Sequence, residues 1–155
     1  MIKAILFDFD GVIKESVDVK TEAFKSLFAE YGEEFVQEVA SFHRKNGGLS
    51  RYAKLRHYYE ELLREKVSEK FIEDKAQEFS RIVVEKVVES PYVKGAREFL
   101  EKYSRQYFCY LVTGTPHQEI SYILDRCRLI PFFQDFFGSP LTKEEMISII
   151  NAKNS

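Results

Sequence analysis

Asp8-Phe9-Asp10-Gly11 closes an apolar run that begins at Ile2, and few folds can house that combination. A short run of Ile, Leu and Phe has no polar face to turn toward water, which predicts a strand covered on both sides within a parallel sheet. Carboxylates at the end of such a strand fall where ligands bind in open α/β sheets. The spacing of Asp8 and Asp10 matches the two-residue period of a ribbon, until the turn at Gly11 redirects the second acid. Taken alone, the same residues also make an ordinary Asp-Gly turn.

The pattern then changes period. Four helical stripes follow: Phe24, Leu27, Phe28 and Tyr31; Phe35, Val39 and Phe42; Tyr52, Leu55, Tyr59 and Leu62; then Phe71, Ala76, Phe79, Val83 and Val87. Gly32 and Asn46-Gly47-Gly48 separate them, and Ser68 is the expected N-cap of the fourth. Ser90-Pro91 ends this stretch, a helix follows Gly95, and Tyr107 to Val112 reads as a second buried strand ending at Thr113-Gly114-Thr115-Pro116. A helix is expected from Pro116, a third short strand near Asp135 to Phe137, and a last helix capped by Thr142 with Glu145 completing a capping box. The expected fold class is therefore α/β, a Rossmann-like parallel core with a helical cap inserted after strand one. The core comprises 1–14 and 91–155, and the four-helix cap 15–90.

With 23 basic and 25 acidic residues, the formal charge of -2 gives no field that would favour nucleic acid or an anionic membrane. No apolar stretch is long enough to span a bilayer, and Asp8 comes too early for a signal peptide, so a cytoplasmic protein is expected. Cys109 and Cys127 lack metal-site spacing and read as reduced, buried thiols.

Three segments together carry a resemblance. Ala4-Ile5-Leu6-Phe7-Asp8-Phe9-Asp10-Gly11-Val12-Ile13, Leu111-Val112-Thr113-Gly114-Thr115-Pro116 and Gly138-Ser139-Pro140-Leu141-Thr142-Lys143 resemble, in order, three signatures of the haloacid dehalogenase-like superfamily. The insert looks like the cap of its phosphatase, phosphoglycolate phosphatase and β-phosphoglucomutase-like members. The resemblance implies a Mg²⁺-dependent phosphatase acting on a small phosphorylated metabolite, with Asp8 as nucleophile and Asp10 as general acid and base, its carboxyl raised toward the working pH. It further implies that the Thr113 hydroxyl and the Gly114 N–H hold the phosphoryl group, that Gly11 belongs to the same phosphate loop, and that Lys143 neutralises the transferring group. Asp8 and the Asp10 carbonyl would contact the metal. A phosphomutase, or a non-catalytic binding module, are the alternatives.

In the cap, the loop from His43 to Arg51 is cationic and glycine-rich. Gly47, Gly48, Arg51 and Lys54 are the expected substrate contacts, with Arg51 forking onto an anion and His43 packed in its helix. The superfamily's fourth signature, a strand ending in an acidic metal-binding motif, has no counterpart before Ser155. The resemblance accordingly implies a core short of its last strands, weak metal affinity, impaired turnover, and an open apolar sheet edge prone to self-association.

Overall fold

The computed structural model describes residues 3–154. Three parallel strands, β1 (Ala4–Phe7), β2 (Phe108–Pro116) and β3 (Asp135–Ser139), form one sheet in the order β1-β2-β3. The insert after β1 holds α1 (Val17–Leu27), α2 (Glu33–Lys45), α3 (Arg51–Arg56), which runs on as a π-helical turn over His57–Leu62, and α4 (Glu69–Glu89). Then come α5 (Ala96–Tyr103), α6 (His117–Arg126) between β2 and β3, and α7 (Lys143–Asn154). Parallel pairing of neighbours requires such crossovers.

β2 is the central strand, and its side chains alternate between two cores. Cys109 and Leu111 join the large cluster that runs from α5 and α6 into the cap helices, whereas Tyr110 and Val112 pack on Met146 and Ile150 of α7. β1 has β2 as its one partner among the described residues, so its other side is an open edge. Ile2, assigned to that strand from the sequence, lies outside the described residues, as does Ser155. β2 runs four residues further than expected, to Pro116, because a register shift between Val112 and Pro116 lets the chain stay beside β3. Pro116 is accordingly the N-cap of α6 rather than its first residue.

The cap packs through the stripes read from the sequence: Phe24, Phe28, Val39, Leu55, Tyr59, Phe79, Val83 and Val87 are all buried. Its helix ends obey local rules. The Ser68 hydroxyl accepts the Phe71 N–H at 3.1 Å, and Thr142 and Glu145 form a reciprocal capping box at the start of α7. The chain enters and leaves the cap through two adjacent segments. The Val93 N–H donates to Ile13 O at 3.0 Å and the Glu15 N–H to Pro91 O at 2.9 Å, while the buried Lys14 ammonium donates to the Val88 and Ser90 carbonyls. Cys109 and Cys127 are buried and unpaired, as expected.

Candidate active site

At the carboxyl end of β1, Asp8 Oδ2 accepts from the Lys143 ammonium at 2.6 Å, a contact that spans 135 positions of sequence. The capping box that fixes the first turn of α7 holds Lys143 at this place, and Asp8 Oδ1 accepts the Phe9 N–H at 2.7 Å. Both side chains are about one-third exposed, at 30% and 34%, so solvent and ligand can reach them.

Asp10 is held differently. Ser16 donates to its Oδ1 and the Lys20 ammonium to its Oδ2, both at 2.6 Å, and Lys20 also donates to the Thr115 hydroxyl at 2.7 Å. Burial pushes the Asp10 carboxyl up. The Lys20 charge and hydrogen bond, the Ser16 hydroxyl and the more distant Lys54 outweigh it and hold the group below its ordinary value of 3.8. The expectation of a raised carboxyl is thus overturned by a lysine that the sequence reading did not weigh.

One cavity of about 260 Å³ joins these groups. Asp8, Asp10, Lys20, Gly114, Thr115 and Lys143 line it from one direction, and His43, Arg44, Gly47, Gly48, Leu49, Arg51 and Lys54 from the cap. The cap loop presses on the core so closely that a Cβ at Gly114 would lie 2.8 Å from Leu49 O, and one at Gly48 would lie 3.8 Å from Lys143 Nζ. A side chain at 114 would therefore lift the loop.

Of the residues expected at the site, Asp8, Asp10, Gly47, Gly48, Arg51, Lys54, Gly114 and Lys143 line this cavity, and Thr113 and Gly11 do not. Thr113 is fully buried, with its oxygen accepting the Thr115 N–H at 3.2 Å; Thr115 is the threonine on the cavity wall. Gly11 adopts φ +74° and spends its N–H on Lys14 O at 2.8 Å, so it serves the turn and has no donor left for phosphate. Arg51 reaches the cavity but does not offer its fork. Its terminal nitrogens donate to both oxygens of Glu119 on α6, at 3.1 and 2.5 Å, and its plane lies over the Phe79 ring. Glu119 is in turn held below its usual 4.5: burial opposes this, and the Arg51 charge and hydrogen bond prevail.

Lys20, Thr115, Glu119 and the pairing of His43 with Lys54 escaped the sequence reading. Lys20 had a signal: it lies four residues before Phe24 and seven before Leu27, on the buried stripe of α1, where an unpaired lysine would be costly. His43 is buried against Phe24, and its Nδ1 lies 3.0 Å from the Lys54 ammonium. Burial first, then the Lys54 and Lys20 charges, pull its pKa to about 4, so the ring is neutral near pH 7 and accepts from Lys54.

The donor set also bears on a cation. Every oxygen of the Asp8 and Asp10 carboxylates already accepts one hydrogen bond and keeps a further lone pair, and Asp8 is the more exposed of the two side chains. Among the described residues no three His, Cys, Asp or Glu side chains gather as a metal cluster. Such a set suits a hard cation that keeps most of its waters.

The strand-end acid Asp8 and the distant Lys143 thus meet under an inserted set of helices on a parallel α/β core. Residues 2–148 match the family model for haloacid dehalogenase-like hydrolases, and the chain belongs to that family. It is 28% identical over 132 residues to a phosphorylated carbohydrates phosphatase of Thermotoga maritima, covering 85% of this chain and 59% of that protein. The chain thus spans about three-fifths of that relative's length. Two solved structures share the fold. One is a predicted phosphatase from Clostridium acetobutylicum (TM-score 0.74, 19% identity, 99% of this chain and 71% of that one). The other is the HAD-hydrolase YfnB of Bacillus subtilis, solved bound to magnesium (TM-score 0.61, 20% identity, 89% and 65%). Among the described residues no helix is long and apolar enough to cross a membrane.

Proposed function

We infer that this chain carries the phosphoryl-transfer site of a magnesium-dependent phosphoric monoester hydrolase acting on a small phosphorylated metabolite. The observation that carries the reading is the Asp8–Lys143 ion pair, in one cavity with Asp10, Gly114 and the cap loop. The phosphatase relative from Thermotoga maritima supports it.

In this reading an Asp8 carboxylate oxygen attacks phosphorus and the ester P–O bond breaks, leaving an aspartyl phosphate and an alkoxide that takes a proton from Asp10. Water, losing its proton to the Asp10 carboxylate, then attacks phosphorus; the bond to Asp8 breaks and phosphate departs. Lys143 balances charge on Asp8 and the phosphoryl oxygens. Asp10 stands here in its ionised, proton-accepting form, because Lys20 and Ser16 hold both oxygens; to donate a proton it must first part from Lys20 and take one up from solvent. Magnesium, when bound, supplies further positive charge, and the Asp8 carboxylate with the Asp10 main-chain carbonyl would hold it.

The test is covalent trapping. Incubated with acetyl phosphate and magnesium, the protein should gain one phosphoryl group that hydroxylamine removes, and Asp8→Asn should gain none. A phosphoryl adduct that persists in Asp8→Asn, or no adduct in the unmodified protein at any magnesium concentration, would count decisively against the assignment.

A further inference from the structure

The charges that line the cavity can be paired off until one buried charge remains. Lys143 meets Asp8, Lys20 meets Asp10, and Arg51 meets Glu119. Arg44 sits exposed at the cavity wall. Lys54 is 4% exposed, yet among the described residues no carboxylate lies within ion-pair reach of it; its one hydrogen-bond partner is the neutral His43 ring. The other buried lysines have oxygen partners: Lys14 has two main-chain carbonyls and Lys20 a carboxylate and a hydroxyl. A buried ammonium without a counter-ion is expensive, and the molecule relieves part of that cost by lowering the Lys54 pKa to about 8, through burial first and then the nearby Lys20 charge.

A second unused donor stands one helical turn away. Arg51 has Nε buried without a partner, although both terminal nitrogens are bonded, and positions 51 and 54 share a face of α3. Both residues line the cavity from the cap, whereas the Asp8–Lys143 pair lines it from the core. The wall thus presents an anion-sized excess of positive charge apart from the ion pair at which phosphoryl transfer is read.

We propose that the Lys54–Arg51 edge of α3 is a seat for a second anionic group of the substrate, so that the preferred metabolite is a small phosphate monoester bearing a further carboxylate or phosphate. This rests on the phosphoryl-transfer reading above. The cavity of about 260 Å³ is small beside ordinary ligand pockets, so the two anions are separated by a few carbons. His43 is a positioning residue: its uncharged Nδ1 fixes the ammonium without neutralising it.

Calorimetric binding of matched pairs tests this: phosphoglycerate against glycerol phosphate, and fructose bisphosphate against fructose monophosphate, with inorganic phosphate as reference. The unmodified chain should bind the doubly anionic member of at least one pair about tenfold or more tightly, the scale of one charged hydrogen bond. Which pair discriminates tells carboxylate from phosphate. Lys54→Met should erase that preference while leaving inorganic phosphate within about twofold, and Lys54→Arg should keep it. Thermal melting establishes that both variants fold; a preference that survives in folded Lys54→Met overturns the inference, and should Lys54→Met not fold, an unmodified chain without selectivity overturns it still. Phosphate binding with no preference for a second anion overturns this inference and leaves the phosphatase reading intact. Equal weakening of inorganic phosphate and of both pair members by Lys54→Met overturns it also, assigning Lys54 to the transferring group. No binding of any phosphate compound overturns both.

Discussion

Lys54 and His43 show how one buried contact sets a response to acid. The ordinary histidine pKa of 6.5 falls to about 4 in the fold. As pH drops below 6.5 the unfolded chain takes a proton that the folded chain refuses until about 4. This contribution to stability is therefore complete above 6.5 and is lost between those values, by at most about 3 kcal/mol. Asp10 and Glu119 are lowered from 3.8 and 4.5, so their own losses set in only toward the acid end of that window and below it. Urea unfolding between pH 4.5 and 7 should show stability falling with acid, and His43→Gln, whose amide oxygen can still accept from Lys54, should flatten the slope. An unchanged slope would remove His43 as the cause. Residues whose role is written in local motif, Asp8 at a strand end and Lys143 beside a capping box, were legible in the sequence. Lys20, Glu119 and the His43–Lys54 pair were not, because each acquires its role from a partner on another element. The same holds for Arg51, whose affinity for planar anions is satisfied by Glu119 before a substrate arrives.

At the scale of elements, the helices were legible because each carries an apolar stripe, and their order emerges as expected. The end of β2 was not. Thr113-Gly114-Thr115-Pro116 has the composition of a turn, and only the pairing with β3 keeps it extended to Pro116. That extension depends on a glycine of the neighbouring strand. A Cβ at Gly138 would stand 2.3 Å from Thr115 O and 2.8 Å from the His117 backbone, with no flexible atom to give way. Gly138→Ala should cost about 3 kcal/mol, the upper range for overpacking, measured by denaturant midpoint. Gly114→Ala meets the cap loop at Leu49 instead, so it should leave the core folded but weaken phosphate binding; unchanged phosphate affinity would show that the loop does not form part of the site. The π-helical turn over His57–Leu62 has no counterpart in the apolar spacing, which fits a continuous α-helix equally well.

For the molecule as a whole, the parallel sheet and its helical insert follow from the alternation of period in the sequence, while the strand order had to come from the fold. β1 pairs on one side alone among the described residues, and Leu6 on it is 38% exposed. An apolar, unpaired edge favours association, so sedimentation velocity should show concentration-dependent oligomers that Leu6→Lys reduces. Behaviour as a monomer at all concentrations would show the edge to be inert. The two segments that lead into and out of the helical insert lie side by side, bonded at Val93 to Ile13 and at Glu15 to Pro91. The insert therefore behaves as a graft with both cut ends at a single point. Away from the face that packs on the sheet, its length and composition can change without moving a strand, so selection can remodel what the cavity admits while Asp8 and Lys143 stay where they are.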